Sequence, residues 1–104
     1  MAGFRVSVVA SQRLDEIYSY THKAWGGAQA EAYIRGLFEC FDGIAKREIA
    51  GRAIDAEFGV EGYYARCEHH YVYWRPLSDG DIGIVTILHE RMHQMDRFRD
   101  DVAT

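Results

Sequence analysis

Two histidines and a glutamate near the C-terminus have the residue types and spacing of a zinc hydrolase site. Residues 89–93 read HERMH, and the pattern H-E-x-x-H within one helix places two imidazole ligands and a general base on the same turn. Here His89 ends the most apolar segment of the chain, so we expect it to be extended. Only eleven residues follow His93, with no histidine or glutamate among them. We therefore interpret the string as coincidental and predict no metal ion and no cofactor.

The same region suggests a second chemistry, the cleavage of RNA. That reaction needs an acid/base group for a 2′-hydroxyl and cations for the phosphate. The candidate catalytic residues, if the protein is a ribonuclease, are Arg66, His89 and Arg91, with Arg75 and Glu61 as further candidates. The formal net charge of −4 argues against a protein that grips a phosphate backbone. We also expect no sequence-specific DNA binding by this chain alone.

The composition is that of one globular domain spanning 1–104. Of the 104 residues, 48% are hydrophobic and 27% charged, which are ordinary values for a protein with one core. Two cysteines, Cys40 and Cys67, form no C-x-x-C pair, so we predict two separate thiols in a reducing cytosol. The longest apolar run, Ile82–Leu88, is too short to span a membrane. With no cleavage-like site at the N-terminus, we expect a cytoplasmic protein with no membrane contact.

The first half of the chain predicts one strand and two helices. The β-branched segment Phe4–Val9 reads as a strand, and Ser11 as the cap of a first helix that reaches Trp25. Gly26-Gly27 should end this helix. A second helix follows, whose apolar residues recur with the 3.6-residue helical period: Ala30, Tyr33, Ile34, Leu37, Phe38, Phe41, Ile44 and Ala45.

The second half predicts a meander of three strands and a short C-terminal helix. Two strands lie within YYARCEHHYVYWRPL and meet near Glu68-His69, and residues 78–81 (SDGD) form the next turn before a final strand, Ile82–His89. A short helix is expected over residues 90–101. The fold class is α+β, with one antiparallel sheet covered on one face by a helical hairpin. The other face should be less covered, so its aromatic residues are candidates for contact with a partner.

The ordered segments resemble the ParE toxins of the RelE/ParE superfamily. The segment RLDEIYSYTHKAWGGAQAEAYIRGLFECFDGIA resembles the helical hairpin of that family, and GRAIDAEFGVEGYYAR and HHYVYWRPLSDGDIGIVTILHERM agree with the parts that follow. The resemblance runs from about Arg13 to Met92. No single motif is diagnostic, but the ordered set L-D-E-I-x-x-Y, W-G-x-x-Q-A, G-R, H-Y-V-Y-W-R-P and I-L-H-E-R-M is specific. One departure is SVVASQ, where many relatives have Ser-Pro before the first helix.

The resemblance implies a two-layer RelE/ParE-like fold and the toxin of a type II toxin–antitoxin system, a plasmid stabilisation protein. Such a toxin forms a hetero-oligomeric complex with a cognate ParD-like antitoxin from the same operon. ParE-like members poison DNA gyrase without being enzymes, whereas RelE-like members cut mRNA in the ribosome. Because the sheet is dominated by tyrosine and valine and the net charge is −4, we favour gyrase over the ribosome.

Two sets of residues are predicted to contact these partners. The antitoxin is expected on the helical hairpin, at Tyr20, Trp25, Tyr33, Arg35 and Phe38. The target is expected on the last strands and the tail, at Arg75, Arg91, Met92, Met95, Arg97 and Phe98. For each aromatic residue of the first set the alternative is packing in the core. For the second set the alternative is a solvated, frayed helix end.

Overall fold

A computed structural model describes residues 3–55 and 61–89 of the chain. Its elements follow the order β-α-α-β-β-β-β and are β1 (Phe4–Val6), α1 (Val8–Trp25), α2 (Gly27–Ala45), β2 (Arg52–Ala53), β3 (Tyr63–Cys67), β4 (His70–Pro76) and β5 (Ile82–His89). The helix predicted over residues 90–101 lies outside the described residues. Neither of the two described helices has the length and apolar character needed to cross a bilayer.

Ser7 separates the first strand from the first helix. Its backbone N–H donates to Ile84 O at 3.1 Å, which completes the strand, while its hydroxyl accepts from Ala10 N at 3.0 Å and caps α1. The predicted strand Phe4–Val9 is therefore too long, and the predicted cap Ser11 is wrong. Val8 and Val9 are helical although both are β-branched. The cap at Ser7 satisfies backbone N–H donors of the first turn, which would lack partners at an isolated strand end.

Gly26 joins the two helices, as the glycine pair predicted. Its φ of 95° lies in the region that glycine adopts without steric penalty. Its N–H donates to His22 O at 2.9 Å and its carbonyl accepts from Ala30 N at 3.1 Å, so one residue ends α1 and begins α2. The result is a tight helical hairpin.

The sheet has five strands in the order β1-β5-β4-β3-β2. The meander of β3, β4 and β5 is antiparallel, as predicted, but β1 runs parallel to β5, with Phe4 opposite Ile82 and Val6 opposite Ile84. The prediction of a wholly antiparallel sheet was therefore wrong. Strand β2 was not predicted, because two residues are too few to show an alternating pattern.

The two faces of the sheet bury different clusters. The helix-covered face holds the main core, whose fully buried side chains include Leu37, Phe41, Ile44, Val72, Ile82, Ile84 and Ile87. The opposite face, predicted to be less covered, has a smaller core of its own. Tyr73 is 6% exposed there and Leu88 is 0% exposed. Tyr73 is therefore less available to a partner than expected, whereas Tyr64 and Tyr71 on the same face are half-buried.

Cys40 and Cys67 form a disulfide, which corrects the prediction of two separate thiols. Helix α2 lies across β3, and this packing brings the two Cα atoms to 6.3 Å despite a sequence separation of 27. That distance lies within the range that a disulfide spans. Sequence spacing could not show the pairing, because it arises from the packing of a helix on a non-adjacent strand.

Loss of the disulfide should lower the free energy of unfolding by about 3 to 4 kcal/mol, because the bond restricts a loop of this length in the unfolded chain. Urea unfolding of the full chain with and without a dithiol reductant measures the difference. The Cys40→Ser, Cys67→Ser double variant is the control, since its stability should not respond to the reductant. A wild-type midpoint that is equal in both conditions would contradict the pairing.

Candidate functional site

The helical hairpin exposes large apolar side chains at its tip. Tyr20 is 73% exposed and Trp25 is 71% exposed, although both lie on a helix whose buried side packs on the sheet. On α2, Phe38 is 39% exposed and Arg35 is exposed. Large aromatic side chains that stay exposed are candidates for contact with a partner protein. Four of the five residues predicted to bind an antitoxin are thus accessible.

The fifth, Tyr33, is half-buried and holds α2 to the turn between β3 and β4. Its hydroxyl oxygen accepts from His69 N at 3.0 Å and lies 2.6 Å from His70 Nδ1. His70 is only 8% exposed. A buried imidazole that is hydrogen-bonded across elements fixes their relative position. Tyr33 therefore has a structural role that its place in the apolar stripe did not reveal.

His89 ends β5 in extended conformation, as predicted. It lies opposite His70 in the strand pairing, and the two rings meet edge to face with centroids 5.1 Å apart. The other two residues of the motif, Glu90 and His93, lie outside the described residues. Within residues 3–55 and 61–89, no three histidine, cysteine or acidic side chains are grouped so as to hold a metal ion.

The ribonuclease candidates are divided between the two faces of the sheet. Arg66 pairs with Tyr71, while the next pair, Cys67 with His70, lies on the helix-covered face. Because side chains alternate along a strand, Arg66 points to the opposite face from His70 and its partner His89. The Arg66 guanidinium turns back to donate from Nε to Glu68 O at 3.2 Å. Arg91 lies outside the described residues.

Three tyrosines occupy the face opposite the helices. Tyr64 and Tyr73 stack across neighbouring strands with centroids 5.5 Å apart, and Tyr71 lies 6.1 Å from Tyr64. Burial, with a smaller contribution from the neighbouring tyrosines, raises the pKa of Tyr73 to about 12. These are the cross-strand pairs of a sheet. Arg75, a predicted target contact, is exposed and shares this face by alternation with Tyr73.

The remaining predicted target contacts lie beyond β5. They belong to the segment that the structure does not describe, and they are Arg91, Met92, Met95, Arg97 and Phe98. Of the target set, the structure therefore positions Arg75 alone.

An open groove of about 330 Å³ lies where the C-terminal end of α2 meets the sheet. It is lined by Tyr63 and Trp74, whose rings pack on each other with centroids 6.1 Å apart, and by aliphatic residues that include Ile44, Ile49 and Ile82. Gly51 allows the Trp74 indole to lie close, since a Cβ at that position would be 2.4 Å from the ring. Arg47 lines the groove as its one cation among the described residues. Sequence reasoning missed this groove because its parts come from four separate segments.

Comparison with known proteins identifies the family. A sequence model described as "ParE toxin of type II toxin-antitoxin system, parDE" matches residues 4–94. The chain belongs to the ParE toxin family. Toxin ParE of Escherichia coli is 35% identical to this ParE protein over 100 residues, 96% of each chain. Toxin ParE1 of Mycobacterium tuberculosis (strain H37Rv) is 33% identical over 91 residues, 86% of this chain and 90% of its own.

The fold agrees with that of a chain in a solved structure. In the structure titled "Chromosomal ParDE TA system from P. aeruginosa", a chain superposes with a TM-score of 0.70 at 18% sequence identity, covering 86% of this chain and 96% of that chain. The predicted α+β fold and the resemblance to ParE toxins are confirmed. The protein is the toxin component of a type II toxin–antitoxin system.

Replacement of Tyr33 by Phe should destabilise the fold by about 1 to 2 kcal/mol, because His70 and the backbone of His69 lose their bonds to the hydroxyl. Chemical unfolding of the full chain measures the change. Tyr20→Phe is the matched control, since its side chain is 73% exposed and should tolerate loss of its hydroxyl. Equal stability of the two variants would show that the Tyr33 hydroxyl does not hold α2 to the turn.

Proposed function

We propose that this ParE toxin inhibits DNA gyrase by direct protein–protein contact and is neutralised by a ParD-like antitoxin in a hetero-oligomeric complex. The observation that carries the antitoxin part of the proposal is the exposure of Tyr20 and Trp25 near the tip of the helical hairpin. Aromatic side chains of this kind contribute most of the binding free energy in protein interfaces. Membership of the ParE family supports the same partners, and such a target would place the protein in the cytoplasm.

The arrangement of polar residues favours protein binding over RNA cleavage. A ribonuclease needs its base and its cation on one surface, so that both reach the same phosphate. His89 and Arg66 point to opposite faces of the sheet, and the net charge of −4 provides no general attraction for RNA. We therefore propose a non-enzymatic toxin, with Arg75 and residues 91–98 as its target surface.

The gyrase proposal predicts that the purified toxin blocks supercoiling or traps cleaved plasmid in vitro, and that adding the antitoxin reverses the effect. An agarose-gel supercoiling assay at increasing toxin concentration measures it. A parallel reaction with a translating extract serves as the control, because message should stay intact there. Cleaved message without any effect on gyrase at toxin excess would replace this proposal by the ribosome-dependent one.

The antitoxin proposal predicts that Trp25→Ala and Tyr20→Ala each weaken antitoxin binding by about 2 kcal/mol, the usual loss at a central aromatic contact. Calorimetric titration of toxin with antitoxin measures the affinity. Val8→Ala is the matched control, since Val8 is 75% exposed at the other end of α1 and lies outside the proposed surface. If all three variants bind equally well, the hairpin tip is not the contact.

A further inference from the structure

The disulfide joins α2 to the sheet beside a turn that α2 also holds by hydrogen bonds. Cys67 is the last residue of β3, directly before the turn to β4. On α2, Tyr33 lies about two helical turns before Cys40. Its hydroxyl accepts from His69 N at 3.0 Å and lies 2.6 Å from His70 Nδ1. The turn therefore stays attached to α2 by contacts that do not depend on the disulfide.

Apolar packing on both sides of Cys40 also holds α2 to the sheet. Leu37 and Phe41 are 0% exposed and belong to one core cluster with Val72 and Ile87 of the sheet. Disulfides that a fold cannot do without are typical of small secreted domains with too little core. Because this domain has a core around the bond, opening the bond should leave the fold in place.

The two cysteines differ in their access to solvent. Cys67 is 4% exposed, whereas Cys40 is half-buried on the helix. Thiol–disulfide exchange begins when a thiolate from solution reaches one of the two sulfur atoms, so access decides which sulfur is attacked. The burial of the two residues therefore favours attack at Cys40.

The cytoplasm, where the proposed function places this toxin, contains small thiols that exchange with disulfides. Cytosolic disulfides are rare, and those that form are usually transient, as catalytic or redox-sensing pairs. A redox-sensing pair combines an accessible cysteine with a resolving cysteine within reach. Cys40 and Cys67 have this arrangement, with Cα atoms 6.3 Å apart.

We propose that Cys40 is a site of reversible S-thiolation by a small thiol of the glutathione class, with Cys67 as its resolving cysteine. The thiolate of the small thiol attacks the Cys40 sulfur and forms a mixed disulfide there, while the Cys67 sulfur leaves as a thiolate and takes up a proton. A second small thiolate attacks the small-thiol sulfur of this mixed disulfide and releases Cys40 as a thiolate. One protein disulfide and two small thiols thus become two cysteines and one small-molecule disulfide.

The exchange would change how firmly the segment between the two cysteines is held. Within the described residues, the connection from α2 to β3 contains only the two-residue strand β2. The closed bond ties together the ends of this irregular connection, and the open pair does not. Local opening of β3 and of the last turns of α2 should therefore be more frequent in the reduced toxin.

The first experiment compares two single variants of the full-length toxin in the folded state. Each is incubated with glutathione disulfide, quenched with acid and analysed by intact mass. Cys67→Ser should gain one glutathionyl group at least about tenfold faster than Cys40→Ser, because only the accessible thiol exchanges readily. In concentrated urea the two rates should become equal, which is the control for intrinsic reactivity. Equal rates in the folded variants, or a faster reaction of Cys40→Ser, would overturn the assignment of the attacked cysteine.

The second experiment uses the wild-type chain and needs no variant to fold. Acid trapping during partial reduction by glutathione, followed by peptide mapping, should locate the mixed disulfide on Cys40. In buffers with the glutathione ratio of a growing cell the bond should open without loss of the fold, and amide hydrogen exchange in β3 should become faster. A bond that stays closed at these ratios would be structural, and the proposal would fail. Neither antitoxin nor gyrase takes part, so such a failure would leave the proposed function untouched.

Discussion

Helix α2 is held across the sheet from both sides, and the other surfaces of the protein depend on this. On one side Phe41, fully buried, meets the ring of Phe4 with centroids 5.5 Å apart. On the other side Cys40 forms the disulfide with Cys67, and the Tyr33 hydroxyl is hydrogen-bonded to the buried His70. A helix fixed along both edges cannot rotate about its axis without breaking covalent, polar and apolar contacts together. Its outward-facing residues are therefore presented at fixed positions.

The exposed aromatic residues gain their significance from this rigidity. Trp25 and Tyr20 lie on α1, which packs on α2 and β5 and is joined to α2 by a single glycine, Gly26. A surface that is already ordered loses little conformational entropy when a partner binds. Burial of the aromatic rings of the hairpin can thus contribute fully to the binding free energy. A flexible segment would lose part of that free energy to the entropic cost of ordering.

Local patterns predicted much of the fold, and contacts between distant segments account for what they missed. The α2 stripe, the Gly26 junction and the turn at Glu68-His69 follow from spacing and residue type within a few positions. The first helix began four residues early because Ser7, which also pairs with β5, is the cap. The parallel pairing of β1 was not predicted, because a strand of three residues is too short to distinguish the continuous apolar pattern of parallel strands from the alternating pattern of antiparallel ones.

The sequence likewise predicted some features of the candidate site and missed others. Tyr20 and Trp25 were named from the amphipathic helices, and their exposure agrees with an interface. Tyr33 was named with them, yet its hydroxyl lies within the fold, because helical period alone cannot distinguish the two edges of an apolar stripe. The groove at Arg47 combines a helix end, a loop and three strands. The left-handed backbone conformation of Arg47 cannot be read from a sequence.

The pairing of β1 with β5 has a consequence for biosynthesis. Phe4 and Ile82 lie at nearly opposite ends of the chain, yet they are neighbours in the sheet. Such long-range pairing comes late in folding, because a large loop must close before the contact forms. On the ribosome, β1 must wait without its partner until the last strand has emerged. The sheet of the nascent toxin thus stays incomplete until β5 has been translated.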